Sequence, residues 1–385
     1  MQIIVAPDSF KGSMSAVEVA SAMEKGILSV FPDAQVIKLP IADGGEGTTE
    51  TLVSATGGRF IKTKVMGPLG NTVEAVWGIL GDGKTAVLEM AAASGLTLIS
   101  KDERNPQITT TYGTGQLIEA ALDQGIRKLI IGIGGSATND GGSGMARALG
   151  VKFLDLEEQE LPHGGAALRK LARIDISQLD KRLGETTILV ASDVDNPLCG
   201  PKGASAVYGP QKGATPMMVE ELDQALKNYA LIAKKTVAKD VLERPGAGAA
   251  GGLGAGLMLF TPAQLRPGVQ LVLEVTGFEE KVKQADFVIT GEGRTDFQTA
   301  HGKAPVGVAK AAQKNNVPTL CISGGLGSGA EDVYAKGIEG LMSIVPQPMN
   351  LEECINSAEK LIQGATSRLC RILRVGMGIS YKAKA

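Results

Sequence analysis

Short apolar runs alternate with segments of helical period at both ends of the chain. QIIVA (residues 2–6) is a buried-strand pattern cut short by Pro7 and Asp8. After the loop PDSFKGS, Ser15 and Glu18 form a capping box, and Val19, Met23 and Ile27 share one face of the helix that follows. QVIKL (35–39) repeats the scheme, with the loop PIADGGEG and a helix from about Thr48 to Ser54. Near the C-terminus ADFVIT (285–290) leads into a polar loop and the helical stretch APVGVAKAAQ (304–313). TLCIS (319–323) then runs into GGLGSG, another short strand lies near Leu341, and a long helix ends the chain. Strands that alternate with helices predict a parallel, doubly wound sheet.

The middle has a different rhythm. From about Phe60 to Met90 the pattern is one of strands joined by short turns, and AVWGILGDGKTAVLEM (75–90) reads as a hairpin around Gly81, Asp82 and Gly83. Gly78, Gly83, Lys84 and Thr85 satisfy the GxxxxGK[ST] spacing of a P-loop. That motif needs a helix after its lysine, whereas TAVLEM alternates like a strand, so the match is a trap.

In a doubly wound sheet the loops that leave the carboxyl ends of the strands share one rim. PDSFKGS, ADGGEG, GEGRTDFQTAHGK and ISGG are therefore expected together, with helix N-termini offering N–H groups to an anion. Within the third of these, Glu292, Arg294, Asp296, Gln298, His301 and Lys303 suit an anionic substrate, a metal-bound phosphate or both; the plain alternative is a solvated turn.

RKLIIGIGGSATNDGGSG carries Gly132, Gly134 and Ala137 in dinucleotide-binding order, with Asp155 eighteen residues further on. Asn139 to Gly142, however, occupy the place of the pyrophosphate-binding helix, which favours a longer phosphate nest with Ser136 and Thr138 suited to a triphosphate. In RPGAGAAGGLGAGL (244–257) no strand precedes Gly246, Gly248 and Gly251; the run either echoes the PxGxGL loop of galactokinase and homoserine kinase type enzymes or packs helices closely. Asp193 and Asp195 follow the strand ILVA as Mg²⁺ ligands, a general base, or an Asx turn before Pro197. YGPQKGA (208–214) is one more lysine-bearing glycine loop.

Composition narrows the choice. A length of 385 residues suggests two or three domains. Glycine fills 51 positions, about 13% against an ordinary level near ~7%, without any low-complexity tract, so the excess belongs to tight loops. A net charge of −2 with scattered Lys and Arg proposes no nucleic-acid partner. Cys199, Cys321, Cys354 and Cys370 lack metal or dithiol spacing and read as core thiols of a reducing cytoplasm; the N-terminus fits neither a signal peptide nor a membrane span.

PDSFKGS, ADGGEGT, GIGGSATNDGG, SDVDNPLCGPKGAS, YGPQKGA, PGAGAAGGLG and TGEGRTDFQTAHGK occur in the order and rough spacing of the bacterial class I glycerate kinases, which the chain resembles from Met1 to about Met377. Phe297 departs from that pattern, where the family usually has a small or polar residue.

The resemblance implies ATP- and Mg²⁺-dependent phosphorylation of D-glycerate, with the 2-hydroxyl favoured, in sugar-acid and glyoxylate catabolism. It implies an α/β fold of two domains: a discontinuous flavodoxin-like, doubly wound parallel sheet (1–58 and 285–385) and an inserted domain with a mixed sheet (59–284), with substrate in the cleft. The strand pattern divides the chain at the same places.

The resemblance marks these blocks as functional without assigning each role; by the logic of phosphoryl transfer, Lys11 or Arg294 is expected to clamp the glycerate carboxylate, with Ser9 and Gln298 beside them. Asp193 is the expected base and Asp296 the second choice, with Lys11 also near the chemistry. Asp43, Glu46, Asp193 and Glu292 are expected Mg²⁺ ligands. Gly134, Gly135, Ser136, Ala137 and Thr138, joined by Gly248 and Gly251, are expected to cradle the nucleotide. The expected partners are D-glycerate and ATP, with no nucleic acid and no membrane, in a monomer or homodimer. Two rivals remain at this point: a nicotinamide-dependent oxidoreductase using Gly132 to Ala137 and Asp155, and a non-catalytic sugar-acid sensor.

Overall fold

The computed structural model describes residues 1–384, with side chains described up to residue 378. β1 (Gln2–Pro7) and β2 (Gln35–Lys38) come first; β3 (Arg59–Met66), β4 (Thr72–Ile79), β5 (Thr85–Glu89), β6 (Lys128–Gly132), β7 (Lys152–Leu154), β8 (Arg173–Asp175), β9 (Thr187–Ala191) and β10 (Gln264–Arg266) follow. β11 (Phe287–Thr295), β12 (Thr319–Leu326) and β13 (Ile338–Ser343) close the set. The chain folds as two compact units, the first made of residues 1–43, 50–55 and 269–385, the second of 44–49 and 56–268.

The first unit is a five-stranded sheet in the order β13-β12-β11-β1-β2, parallel throughout. Counting only its own strands, this is the flavodoxin-like order, with the reversal of winding between β1 and β11. Ile3 and Val5 of β1 and Phe287 and Ile289 of β11 pack on Val19, Met23 and Ile27 of helix Ala16–Leu28 and on Ile362 and Leu369 of the last helix. The opposite face is covered by helix Ala304–Gln313 through Val306 and Ala309, against Cys321 and Ile338. Ser15 and Glu18 form the capping box that their spacing predicts, with the Glu18 side chain 2.8 Å from the Ser15 N–H.

The second unit holds a mixed sheet in the order β10-β9-β6-β5-β4-β3. β3, β4 and β5 are antiparallel neighbours, whereas β5, β6, β9 and β10 are parallel. Its core joins Trp77, Leu88, Ile131 and Val190 to Leu117 and Ile118 of helix Tyr112–Asp123. A second cluster gathers Leu226 and Tyr229 of helix Pro216–Val237 with Phe153 and Phe260. The turn between β4 and β5 is closed by Asp82 Oδ1, which accepts the N–H groups of Lys84 and Thr85 at 2.9 Å each. Thr85 then opens a strand, so the P-loop spacing is accidental.

The units divide the chain elsewhere than at Gly58 and Gln284. The segment 44–49 goes with the second unit, and the second junction falls between Gly268 and Val269. Helix Phe278–Val282 belongs with the first unit, where its Glu279 pairs with Lys314, at 2.9 Å, just beyond helix Ala304–Gln313. Among the described residues no helix is long and apolar enough to cross a membrane.

Candidate active site

In the first unit, β1 and β11 end side by side where the winding reverses, the place where open α/β sheets bind ligands. A pocket of about 360 Å³ lies there, lined by three acids, Asp8, Asp43 and Glu292, and three cations, Lys11, Arg294 and Lys303, with Ser9 among them. Asp8 follows the last residue of β1, and its backbone N–H still bonds Gly291 across the strands at 2.8 Å. Burial pushes its carboxyl up to about 7; Asp43 and Glu292 add to the rise, while the Ser9 N–H, 2.6 Å from Oδ1, and Lys11 oppose it. An acid that titrates near neutrality in an open pocket suits proton transfer.

Glu292 is buried, and burial raises its pKa. Its Oε1 accepts the hydroxyls of Thr299 at 2.6 Å and Thr295 at 3.0 Å, while Oε2 lies 4.0 Å from Lys303 Nζ. One oxygen is thus anchored inside the protein and the other faces the ammonium. The polar stretch after ADFVIT is therefore not all loop. β11 continues through Thr295, pairing Glu292 with Ser323 and Arg294 with Gly325. The threonine hydroxyls satisfy the carboxylate that a buried strand could not otherwise hold.

Arg294 is exposed, its Nε 3.4 Å from Asp296 Oδ2. Asp296 Oδ1 accepts the Gln298 N–H at 3.0 Å and lies 4.0 Å from Lys303. Asp296 thus shapes the turn and balances the cations. Gln298 and His301 are exposed on that turn, with His301 Nδ1 2.8 Å from the Phe297 carbonyl oxygen.

In the second unit β5, β6, β9 and β10 end on one edge. The Gly44 carbonyl oxygen accepts the Gly134 N–H at 3.2 Å. A Cβ on Gly44 would stand 2.6 Å from the Ala191 oxygen, and one on Gly134 2.7 Å from Gly45 Cα, so glycine is what lets these loops touch backbone to backbone. Glu89, at the end of β5, accepts the N–H groups of Thr49 at 2.7 Å and Gly47 at 3.2 Å. The N-terminus of helix Thr48–Thr56 is therefore taken by a carboxylate of the protein itself instead of being left open for a ligand. Glu46 is exposed on the same segment, and Asp193 Oδ1 accepts the Gly268 N–H at 3.0 Å.

Most of the expected nucleotide positions are buried in the second unit. The amides of Gly134 and Ala137 are already bonded, to Gly44 and to Ser94 at 2.9 Å, and Ser136, Ala137 and Thr138 are buried. What remains of the expected phosphate nest at the surface is the turn at Gly134 and Gly135. Gly248 and Gly251 are buried packing glycines: a Cβ on Gly251 would collide with the Thr138 oxygen, and one on Gly248 with the Pro197 oxygen. The dinucleotide reading also fails. The helix after β6 starts only at Ser143, and Asp155 closes a local turn by accepting Glu157 N–H at 3.0 Å and Gln159 N–H at 2.9 Å.

Of the four expected metal ligands, Asp43 and Glu292 come together in the first unit's pocket, whereas Glu46 and Asp193 belong to the second unit. Among the described residues no three His, Cys, Asp or Glu side chains are placed to cage a metal ion. Mg²⁺ commonly takes one or two carboxylates and completes its shell with substrate phosphates and water, so the pair fits that ion. The four cysteines are free thiols, three of them buried. Sequence reasoning passed over Asp8, Glu89 and Lys212. Each stands at a strand end or inside a glycine loop; Lys212 is buried between exposed neighbours, whereas Asp8 and Glu89 are half-buried.

The glycerate kinase family profile matches residues 3–374. A glycerate kinase of Bacillus subtilis (strain 168) is 55% identical over 363 residues, 94% of this chain and 95% of that one. A glycerate 2-kinase of Escherichia coli (strain K12) is 49% identical over 377 residues, 98% of this chain and 99% of that one. The crystal structure of a protein provisionally described as glycerate kinase 2, from Salmonella typhimurium LT2, superposes with a TM-score of 0.89 at 48% identity, covering 98% of this chain and 99% of that one. Identity at this level over nearly the whole length leaves one conclusion: the chain belongs to the glycerate kinase family.

Proposed function

We propose that this protein transfers the γ-phosphoryl group of ATP to the 2-hydroxyl of D-glycerate with the help of Mg²⁺. The observation that carries the reading is the first unit's pocket, where three cations and three carboxylates meet at the reversal of the winding. Family membership supplies the reaction class, and the similarity to a glycerate 2-kinase supports the choice of hydroxyl.

Glycerate presents one carboxylate and two hydroxyls. Arg294 offers the carboxylate a planar pair of donors, and Lys11 and Lys303 add charge with Ser9 beside them. Asp8, raised to about 7 and lining the pocket, takes the hydroxyl proton in preference to Asp193, which belongs to the second unit. Asp296 keeps Arg294 and Lys303 in place. Asp43 and Glu292 would hold Mg²⁺, which supplies charge neutralisation for the phosphates when bound. The turn at Gly134 and Gly135 would meet the nucleotide phosphates. Free, mostly buried thiols suit a reducing cytoplasm.

The test is to incubate the protein with D-glycerate, ATP and MgCl2 and to locate phosphorus in the product by NMR. Phosphorus on the 2-oxygen is expected. A 3-phosphate corrects the regiochemistry, and no phosphoglycerate at all overturns the proposal.

A further inference from the structure

Lys212 is the single lysine or arginine that is fully buried among the described residues, at 1% exposure. It ends the short 3-10 turn Pro210–Lys212 in the YGPQKGA stretch. Gly213 follows at φ 93°, where a Cβ would strike the Arg104 carbonyl oxygen, and Arg104 Nη1 donates to the Gln211 oxygen at 3.3 Å. The turn is therefore pinned against Arg104 with its lysine directed inward. Lys212 Nζ donates to Ser136 Oγ and to the Thr138 carbonyl oxygen, each at 2.7 Å.

The charged group that acts on this ammonium is Asp140, itself buried and bonded to the N–H and hydroxyl of Thr111 at 2.8 Å each and to the N–H groups of Gly142 and Gly144 at 3.1 Å. Burial lowers the lysine's pKa to about 7 and Asp140 opposes the change. Burying an ammonium works against folding, and a Met or Leu would fill the same space without that penalty. What only the ammonium supplies is a pair of directed bonds to the two residues that flank Ala137. Those residues form the buried root of the loop whose surface end is the turn at Gly134 and Gly135.

We infer that Lys212 is a positioning residue for the nucleotide: it fixes Ser136 to Thr138 so that the turn at Gly134 and Gly135 meets the phosphates in a single shape. This inference rests on the kinase reading above. Lys212 supports the loop from behind instead of meeting ATP itself, because its side chain is fully buried.

The test compares wild type, Lys212→Met, Lys212→Arg and Ser136→Ala as full-length enzymes, measuring KM for ATP, KM for D-glycerate, kcat and Tm. Lys212→Met is expected to raise KM for ATP by about tenfold or more while KM for glycerate stays within about twofold, because a loosened loop misplaces one substrate only. Lys212→Arg should restore part of the loss, since it keeps charge and donors. Ser136→Ala, which removes one bond and little volume, should raise KM for ATP about threefold and keeps the test open if Lys212→Met does not fold.

A folded Lys212→Met with unchanged KM for ATP, or with both KM values raised alike, overturns the inference, as does an inert Ser136→Ala. A role in folding alone would lower Tm without separating the two KM values. Should wild type fail to phosphorylate glycerate, the functional proposal falls first, and ATP binding by titration calorimetry to wild type and Lys212→Met still decides the positioning role.

Discussion

Asp8→Asn should make the free enzyme more stable and far slower. In the folded chain the Asp8 carboxyl is pushed from 3.8 to about 7, first by burial and then by Asp43, so the native state holds a proton that the unfolded chain has already released. Between those two values folding binds a proton, and stability falls as pH rises. At about 1.4 kcal/mol per tenfold, the raised pKa costs about 4 kcal/mol at pH 8, where the buried carboxylate is ionised, and about 2 kcal/mol at pH 5, where folding must take up a proton. Asn removes that term while its side-chain oxygen can still accept the Ser9 N–H.

Urea unfolding of wild type and Asp8→Asn without ligands should therefore show the variant gaining over wild type, with the gain about 2 kcal/mol larger at pH 8 than at pH 5. The same variant loses the proposed proton acceptor, and kcat should drop by about 100-fold or more. A variant whose advantage does not grow with pH would refute the buried-acid argument. One that turns over normally would refute the catalytic role.

The remaining predictions use single substitutions. Arg294→Ala should raise KM for glycerate by about tenfold or more with kcat little changed, because a ground-state clamp is lost, and an unchanged KM would move the carboxylate site elsewhere. Glu89→Ala should cost about 1–2 kcal/mol in urea unfolding by leaving the Gly47 and Thr49 N–H groups without their acceptor, and no measurable loss would contradict the capping role. Asp193→Asn should reduce kcat less than Asp8→Asn does; the reverse order would return the base to the position first expected. Lys84→Ala should leave KM for ATP within about twofold, since Lys84 follows an exposed hairpin turn, and a large rise would revive the P-loop reading.

The alternating pattern of the chain ends carries most of the first unit's fold. QIIVA, the capping box at Ser15 and Glu18, QVIKL and TLCIS each become the element their spacing predicts. The length of β11 does not follow from pattern, because Glu292 and Arg294 belong to a strand only through partners such as Thr295 and Thr299 that close in three dimensions. Glycine is the least legible signal. Gly134 and Gly251 stand in equally suggestive runs and both serve close backbone contacts, yet the first reaches the surface and the second is buried, and a missing Cβ looks the same in both. Asp8 shows a different limit. Its place after an apolar run is plain in the sequence, but the burial that raises its pKa, and the Asp43 and Glu292 charges that add to the rise, come only with the fold.

The most direct test is a crystal structure of the enzyme with D-glycerate and a non-hydrolysable ATP analogue. The account predicts the glycerate carboxylate on Arg294 with a hydroxyl oxygen within hydrogen-bond reach of Asp8. Glycerate bound away from the β1 and β11 ends, with Asp8 and Arg294 both untouched, would contradict it.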